Sequence, residues 1–356
     1  MDFATAKASV DFLIKNAEAA GGVPGINFFG GEPMLMWETI IVPVVNWVRK
    51  EYRKPFDLSM TTNGTLLNED RIRYLKGNNV RLLFSIDGSK ETQDYNRPLQ
   101  SGDSSFDVLQ NVIPLIIKYR PETAFRMTAI PATCQHTYDN IMFAVDNGFR
   151  HFFVVPNVFE EWTPEDRCIL EIEMRKFSDY YIESYRNAKT PINFSALDKS
   201  FSDIRKINGA TKRGEHRKLS RCHACGKCGL GASRFASIHP NGNLYACQEM
   251  TSNEGDQSIF YIGNIFTGVE NERRGILMST YEESPVSGAN CQQCKLNRIC
   301  DGGCVANNYL LTGRLNKMPE VFCWWQQLLL DEAIYITQTL GAEENELFKQ
   351  KWSRTL

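Results

Sequence analysis

All but two of the 11 cysteines in this 356-residue chain lie between Cys222 and Cys323. Disulfides explain such crowding in small secreted domains, but here the cysteines follow a long globular stretch. The first residues also contain neither a basic segment nor a small-residue cleavage site. The crowding therefore favours ligation of a metal ion or an iron–sulfur cluster. The two other cysteines, Cys134 and Cys168, are expected to be lone buried thiols rather than ligands.

With Cys225 left aside, the crowded cysteines number eight, which is enough for two sets of four. Cys222-x5-Cys228 is followed by an isolated Cys247, and a C-x2-C-x5-C-x3-C run over 291–304 is followed by an isolated Cys323. Thiolates in fours hold either 4Fe–4S clusters or tetrahedral zinc, so the donor set leaves both open. Isolated cysteines that the fold must bring in are more typical of cluster domains, which favours iron–sulfur clusters.

An Asn-Gly pair marks a tight turn before Cys247. Asn241-Gly242 separates two short β-rich runs, 235–238 and 244–246, and Asn-Gly is a preferred pair in hairpin turns. The sequence therefore predicts a β-hairpin that positions Cys247.

Residues 1–190 alternate β-rich runs with helical patterns. This alternation predicts an α/β fold with a parallel sheet, either doubly wound or a partial barrel. The predicted strands are 26–29, 56–61, 80–86, 125–130 and 151–155, and the predicted helices are 37–52, 68–76, 106–118, 137–146 and 164–188.

Polar motifs follow the first three predicted strands. They are Gly30-Gly31-Glu32-Pro33, Thr61-Thr62-Asn63-Gly64 and Ser85-Ile86-Asp87-Gly88. Parallel sheets carry their chemistry at the carboxyl ends of the strands, so these three loops are candidate binding sites.

The rest of the composition is that of an ordinary globular protein. A net charge of −2 and a hydrophobic fraction of 42% indicate no nucleic-acid surface, and the apolar runs are too short to span a membrane. We predict a barrel part at 1–195, a polar linker at 196–220, a cysteine-rich domain at 221–325 and a C-terminal helix and tail at 326–356. A cytoplasmic location is expected.

The complete cysteine pattern resembles the signature of the SPASM domain of radical SAM enzymes, which binds two auxiliary 4Fe–4S clusters. The pattern reads C-x13-G-x4-C, then C-x2-C-x5-C-x3-C, then C, with Cys222 in the place of the eighth ligand. The resemblance implies one cluster on Cys222, Cys228, Cys247 and Cys304 and a second on Cys291, Cys294, Cys300 and Cys323. Cys225 has no fixed place in the pattern; a spare thiol, an alternative ligand and a substrate contact all remain open.

The strand-end motifs resemble the remainder of the same superfamily. Gly30, Gly31, Glu32 and Pro33 look like the GGEP motif, whose backbone meets the amino group of S-adenosylmethionine, and glycine permits such a close approach. The resemblance also implies that Asn63, Ser85 and Asp87 lie near this cofactor and that Arg126 pairs with its carboxylate. Taken singly, Gly30-Gly31 suits a strand-ending turn, Asn63-Gly64 a hairpin turn, and Arg126 a surface salt bridge.

One expected motif is absent from the sequence. Radical SAM enzymes carry C-x3-C-x2-C after the first barrel strand, where it holds the radical-generating cluster, and no such triplet occurs in this chain. Residues 1–20 also show a helical pattern, and family members place such a helix after that loop, so we expect a truncated sequence rather than a natural loss. A third 4Fe–4S cluster would then belong to a longer chain, and this chain alone would be inactive. The fold that the resemblance implies is a partial (β/α)6 TIM-like barrel lacking its first strand, followed by an irregular cysteine-rich domain with a β-hairpin and a C-terminal helix.

The resemblance implies a radical SAM/SPASM maturase of a ribosomally made, cysteine-containing peptide, with a sulfur-to-carbon thioether as the expected product. The runs Cys228–Gly231 and Ser85–Pro98 look most like the thioether-forming maturases. Implied partners are the precursor peptide and an electron donor such as a flavodoxin or ferredoxin, with no nucleic acid and no membrane.

Two alternatives remain. The anaerobic sulfatase-maturating branch places an aspartate base directly after the cysteine that matches Cys247, whereas this chain has Gln248 there, followed by Glu249. An amide takes up no proton, which disfavours that branch. A non-catalytic iron–sulfur or peptide-binding protein is the other hypothesis.

Overall fold

The computed structural model describes residues 1–187, 192–212, 235–282, 287–288, 290–300 and 302–352. The chain forms two compact units, each made of two segments. The first unit is Met1–Ser59 with Ser220–Glu320, and the second unit is Met60–Leu219 with Val321–Leu356. The boundaries of these two units do not coincide with those of the four segments predicted from the sequence, and the predicted boundaries stay predictions.

Six strands form one sheet in chain order, which confirms the predicted α/β fold class, a partial (β/α)6 barrel. The order runs from β1 to β6, and β3–β4, β4–β5 and β5–β6 pair in parallel. Strand β6 is not predicted from the sequence, because two residues are too few to show an alternating pattern. The strands are β1 Gly25–Phe28, β2 Asp57–Thr62, β3 Val80–Ser85, β4 Ala124–Ala129, β5 His151–Pro156 and β6 Asn193–Phe194.

Helices follow most of these strands, and side chains near the start of two of them, α3 and α7, cap their first turns. Asn68 caps α3, because its Oδ1 accepts a hydrogen bond from the Arg71 amide at 2.9 Å. Thr163 and Asp166 form a capping box at the start of α7. The helices are α1 Phe3–Ala19, α2 Val42–Glu51, α3 Glu69–Gly77, α4 Lys90–Asn96, α5 Phe106–Tyr119, α6 Thr137–Asp146, α7 Pro164–Arg186 and α8 Ser195–Lys212.

Strand β4 shows how the sheet separates core from site. Phe125 and Met127 are buried, whereas Arg126 and Thr128, on the opposite face, keep part of their surface exposed. Phe153 of β5 is 40% exposed on its own strand. Because successive side chains of a strand point to opposite faces, one face of the sheet packs into the core and the other is left open to carry polar groups.

The predicted polar linker at 196–220 is wrong for the part that the structure describes. Residues as far as Lys212 belong to α8, which buries Leu197, Phe201 and Ile204. These apolar residues are spaced at i, i+4 and i+7, the stripe of an amphipathic helix. The scattered lysines and arginines lie between them, which hides the stripe in the composition.

A four-stranded antiparallel sheet lies in the first unit, with the order β10-β9-β8-β7. The predicted hairpin is confirmed as β7 and β8, joined by a turn in which Gly242 has a φ of +89°. Tyr245 and Phe260 are fully buried in its core, against which Phe12 of α1 packs. The remaining elements are β7 Ser237–Ile238, β8 Asn243–Tyr245, β9 Tyr261–Asn264, β10 Gly268–Val269, α9 Asn271–Glu282, α10 Val305–Thr312, α11 Glu320–Ala342 and α12 Glu346–Trp352.

None of the helices in the described ranges combines the length and the apolar character that a membrane crossing requires.

Helix α11 is tied to α7 by a charged pair within the second unit. Arg175 donates from Nε and Nη2 to the Glu332 carboxylate, each at 2.9 Å, and its guanidinium lies 4.1 Å from the centre of the Tyr335 ring. Trp324 also donates from Nε1 to Glu171 at 2.6 Å. The Trp324 contact lies one residue after Cys323 near the start of α11, whereas the Arg175–Glu332 pair holds the middle of the helix.

We expect Arg175→Ala to destabilise the protein by about 2 kcal/mol, because the Glu332 side chain is only 4% exposed and would lose its partner. Urea unfolding measures the loss. The matched control is Lys50→Ala, which removes an exposed partner of Glu51 and should change the stability by under about 0.5 kcal/mol. Equal effects of the two variants would contradict the anchoring role.

Asp198 of α8 should make the stability depend on pH. Burial raises the pKa of its carboxyl from 3.8 to about 6, and its Oδ1 has no hydrogen-bond partner in the described part of the chain. Because the pKa of Asp198 is higher in the folded state than in the unfolded state, its contribution to stability is complete below about pH 4 and is lost as the pH rises through 6. Asp198→Asn should remove that fall and stabilise the protein at pH 7 by about 2 kcal/mol. The exposed Asp11→Asn is the control, and parallel pH profiles for the two variants would contradict the prediction.

Candidate functional site

The loop after β1 leaves open space above two glycines of the first unit. Gly30 has a φ of +149°, and a Cβ placed on either Gly30 or Gly31 would meet no atom of the described residues within 4 Å. Glu32 ends the loop, because its Oε1 accepts from the Met34 amide at 3.0 Å and caps the 3₁₀ turn Pro33–Met36. Packing therefore does not explain the glycine at 31, and a close approach by a ligand remains a sufficient reason for it.

The loop after β2 is a strand-to-helix turn and not the hairpin turn that Asn63-Gly64 also suits. The Asn63 Oδ1 accepts from the Thr65 amide at 3.0 Å and from its hydroxyl at 2.8 Å, and α3 follows. Gly64 has a φ of +78°, and a Cβ there would lie 2.3 Å from the Phe84 ring. The glycine is thus required by backbone conformation and by packing.

Asp87, directly after β3, is the most enclosed of the predicted site residues. Its side chain is 2% exposed, and Oδ2 accepts from Arg97 Nε at 2.7 Å and from Asn96 Nδ2 at 3.2 Å. Oδ1 accepts from the Thr128 amide at 2.9 Å. The carboxylate is therefore engaged within the protein, where it orders the loop and orients Arg97.

The rest of this loop is held by helix residues that sequence reasoning did not single out. The Asp87 amide donates to Gln93 Oε1 at 2.8 Å, and the Ser89 amide donates to Asn140 Oδ1 at 3.0 Å. Gly88 has a φ of +131°, and a Cβ there would lie 2.1 Å from Asn140 Oδ1. Only glycine fits at this position without displacing Asn140.

Arg126 lies on the open face of the sheet within the second unit. It pairs in register with the buried Ser85, and its guanidinium lies 5.9 Å from the centre of the Phe153 ring. Thr128 follows on the same face, and its Oγ1 lies 3.5 Å from Arg97 Nη2. Arg97 is the functional candidate that sequence reasoning missed. The sequence did contain a signal for Arg97, because this residue lies ten residues after Asp87 within the run Ser85–Pro98, which resembles the thioether-forming maturases.

Cys222, Cys225 and Cys228 lie outside the described residues. The other six cysteines of the framework are half-buried and form no disulfide: Cys247, Cys291, Cys294, Cys300, Cys304 and Cys323. In the ranges that the structure describes, no three His, Cys, Asp or Glu side chains are grouped as a metal site would need. The assignment of the eight ligands therefore stays a prediction.

The surroundings of Cys300 suit a thiolate. The Gly302 amide donates to its Sγ at 3.4 Å, and the Met318 Sδ lies 3.6 Å from it. Asn308 is 1% exposed and donates to the Gly302 carbonyl at 2.7 Å, which holds this backbone in place. A backbone donor on sulfur stabilises the charged form of a cysteine, as ligation to iron requires.

The two cysteines outside the framework differ from each other. Cys134 is buried, as expected, and burial raises the pKa of its thiol to about 11, with the nearby Asp166 adding to the rise. Cys168 is exposed, so the expectation that it is buried is wrong. Cys168 lies on α7, where charged residues interrupt the apolar stripe. It is on the face of this helix that points away from the core.

Iodoacetamide at pH 8 should alkylate Cys168 and leave Cys134 unmodified in the native protein, because the thiolate is the reactive form. Peptide mapping by mass spectrometry reads both sites in one sample, so Cys168 is the internal control. After unfolding in urea, both should react. Alkylation of Cys134 at the rate of Cys168 before unfolding would contradict the burial.

Known proteins resemble this chain over part or most of its length. Residues 6–145 match the Radical SAM superfamily. The chain is 23% identical over 298 residues to a cysteine-type anaerobic sulfatase-maturating enzyme of Clostridium perfringens strain ATCC 13124, covering 80% of this chain and 75% of that protein. It is also 24% identical over 319 residues to the radical SAM cyclopropyl synthase TigE of Paramaledivibacter caminithermalis, covering 87% of this chain and 60% of that protein.

Solved structures show the same fold. Native anSMEcpe with bound AdoMet and Cp18Cys peptide has a TM-score of 0.68 at 20% identity, over 94% of this chain and 90% of that chain. Streptococcus suis SuiB bound to precursor peptide SuiA has a TM-score of 0.53 at 17% identity, over 89% and 69%. Residues 6–145 thus match a radical SAM domain, as the strand-end motifs predict, and the relatives that cover most of the chain are a sulfatase-maturating enzyme and a radical SAM cyclopropyl synthase.

Proposed function

We propose that this chain is the main part of a radical SAM enzyme that modifies a cysteine-containing peptide and holds two auxiliary 4Fe–4S clusters. The observation that carries the proposal is the eight-cysteine framework downstream of a radical SAM domain in one chain. A fold built only to bind peptide has no need of eight spaced thiolates, whereas a redox reaction has a use for clusters that pass electrons.

The carboxyl ends of the strands are the proposed binding region for S-adenosylmethionine. When bound with a reduced cluster, this cofactor supplies a carbon radical that removes a hydrogen atom from the substrate. The Gly30-Gly31 backbone is unobstructed and suits the amino group, and Arg126 offers a guanidinium to the carboxylate. Asn63 and Ser85 end neighbouring strands, and Asp87 keeps its loop and Arg97 in position.

The proposed cluster ligands are those that the cysteine spacing implies. Their chemistry fits: the described members are half-buried cysteines outside any disulfide, and Cys300 receives a backbone hydrogen bond. One set is Cys222, Cys228, Cys247 and Cys304, and the other is Cys291, Cys294, Cys300 and Cys323.

A peptide substrate is supported by the relatives. One related structure contains the Cp18Cys peptide and another contains the precursor peptide SuiA. For this chain we propose a thioether product, in which one carbon–sulfur bond replaces an S–H and a C–H bond. The hydrogen of the C–H bond leaves as an atom to the carbon radical of the cofactor. Formation of the carbon–sulfur bond then releases one proton from the thiol and one electron, for which an auxiliary cluster and then an external electron carrier are the proposed acceptors.

Sulfatase maturation is the second candidate, because relatives of that kind match over 75% or more of their length. Against it, Cys247 is followed by Gln248, whose Nε2 donates to Glu249 at 3.3 Å. Gln248 takes up no proton, so a base would have to come from Glu249, which is exposed. This difference favours the thioether chemistry.

The proposal is tested by anaerobic coexpression of the gene, read from upstream in frame, with a cysteine-rich peptide encoded beside it. Mass spectrometry should show a peptide that has lost two hydrogens and one alkylatable thiol. Conversion of the cysteine to formylglycine would favour the second candidate. A peptide of unchanged mass, with S-adenosylmethionine not cleaved, would contradict both.

A substitution at Gly31 tests the cofactor region separately. Gly31→Val should leave the thermal unfolding temperature unchanged, since nothing in the described part of the chain lies within 4 Å of its Cβ position. It should weaken the binding of S-adenosylmethionine by about fivefold or more in equilibrium dialysis. Gly77→Ala, at an equally open glycine ending α3, is the control and should not change binding. Unchanged affinity in Gly31→Val would remove the assigned role of this loop.

A further inference from the structure

A large cavity lies in the first unit, and none of the described residues that line it is assigned to the cofactor or to the clusters. Its volume is about 1190 Å³, and its walls are the start of α9, the C-terminal end of α10 and the 313–316 loop. Leu277, Leu315 and Tyr261 form a buried base, with 3%, 4% and 9% of their surface exposed. Small-molecule sites usually measure about 300 to 1,000 Å³, so this cavity is large for a metabolite.

The polar groups at the base are occupied by one another. Arg273 donates from Nε to Glu270 at 2.9 Å and from Nη1 to the Asp256 carbonyl at 2.7 Å, and its guanidinium lies over the Tyr261 ring. A ligand therefore meets few unsatisfied polar groups there. Binding at the base would come from apolar contact rather than from hydrogen bonds.

The rim supplies apolar surface and two charges. Ile259 and Ile276 are 44% and 59% exposed, which leaves large aliphatic side chains facing water beside the cavity. Glu272 and Arg314 also line it, and neither side chain has an ion-pair partner in the part of the chain that the structure describes. A ligand that complements this rim has an apolar centre, a basic group for Glu272 and an acidic group for Arg314.

The 313–316 wall is built into the fold. Gly313 has a φ of +70° and ends α10, where its amide donates to the Tyr309 carbonyl at 2.8 Å. The Ser287 amide donates to the Asn316 carbonyl at 3.0 Å. Arg314 is thus presented from an ordered turn, so its charge has a defined place at the rim.

We propose that this cavity binds an extended segment of the substrate peptide, remote from the residue that is modified and carrying an apolar residue between a basic and an acidic one. The inference rests on the proposed function, which requires a peptide substrate. A peptide matches the size, the apolar base and the opposite rim charges together. Binding here would raise the local concentration of the reacting residue without taking part in its chemistry.

The test uses fluorescence anisotropy with the purified chain and a labelled, blocked hexapeptide in which Lys and Glu flank a Leu-Ile core. It contains no cysteine, and no S-adenosylmethionine or reductant is added. The protein should bind this peptide about tenfold more tightly than an analogue with a serine core. Ile276→Asp should weaken binding about fivefold. Ile172→Asp should not, because Ile172 is 54% exposed on α7 and does not line the cavity.

A charge exchange locates the acidic end of the peptide. Arg314→Glu should weaken binding of the original peptide about threefold at low salt. An analogue with Lys in place of Glu should bind this variant as well as the original peptide binds the unaltered protein. Absence of binding, equal effects of Ile276→Asp and Ile172→Asp, or failure of the exchange to restore affinity would each overturn the proposal.

These outcomes are separable from those for the proposed function. If a peptide is modified but the rim substitutions do not change binding of the hexapeptide, only the proposal that the cavity binds peptide is disproved. If the hexapeptide binds as expected and no peptide is modified, the enzymatic proposal is disproved.

Discussion

The buried carboxylate of Asp87 holds together the strand ends on which the proposed cofactor region depends. It joins the end of β3 to Asn96 and Arg97, at the end of α4, and to the backbone of β4 at Thr128. Removing Arg97 would leave a buried charge without its ionic partner, at a cost of about 3 kcal/mol. The orientation of Arg97 therefore depends on this ion pair, while Gln93 and Asn140 hold the rest of the loop.

Local sequence patterns predicted most of the fold. The strand and helix alternation predicts the parallel sheet, and Asn241-Gly242 predicts the β7–β8 hairpin, because both rest on interactions between near neighbours. Helix α8 is the main error. Its apolar stripe at Leu197, Phe201 and Ile204 is present in the sequence, but the surrounding lysines and arginines suggest a solvated linker, and burial against other helices decides the outcome.

The site was predicted less completely than the fold, for a physical reason. Motifs name the loops, as at Gly30-Gly31 and Asp87-Gly88, but they do not name the partners that fix those loops. Asn140 lies 51 residues from Ser89, and Thr128 lies 41 residues from Asp87. Such contacts arise only when the sheet and its helices assemble. The same holds for the peptide-sized cavity, whose walls come from segments that have no recognisable motif.

The cysteine framework gives the account its most direct test, through the metal content of the protein. The purified chain, reconstituted anaerobically with iron and sulfide, should contain about eight irons and about eight sulfides. Cys300→Ser should lower both to about half, because one four-iron cluster is lost while the other remains. Cys134→Ser, at a buried thiol outside the framework, should leave them unchanged. Tightly bound zinc in place of iron, or an iron content that Cys300→Ser does not alter, would contradict the assignment of two auxiliary clusters.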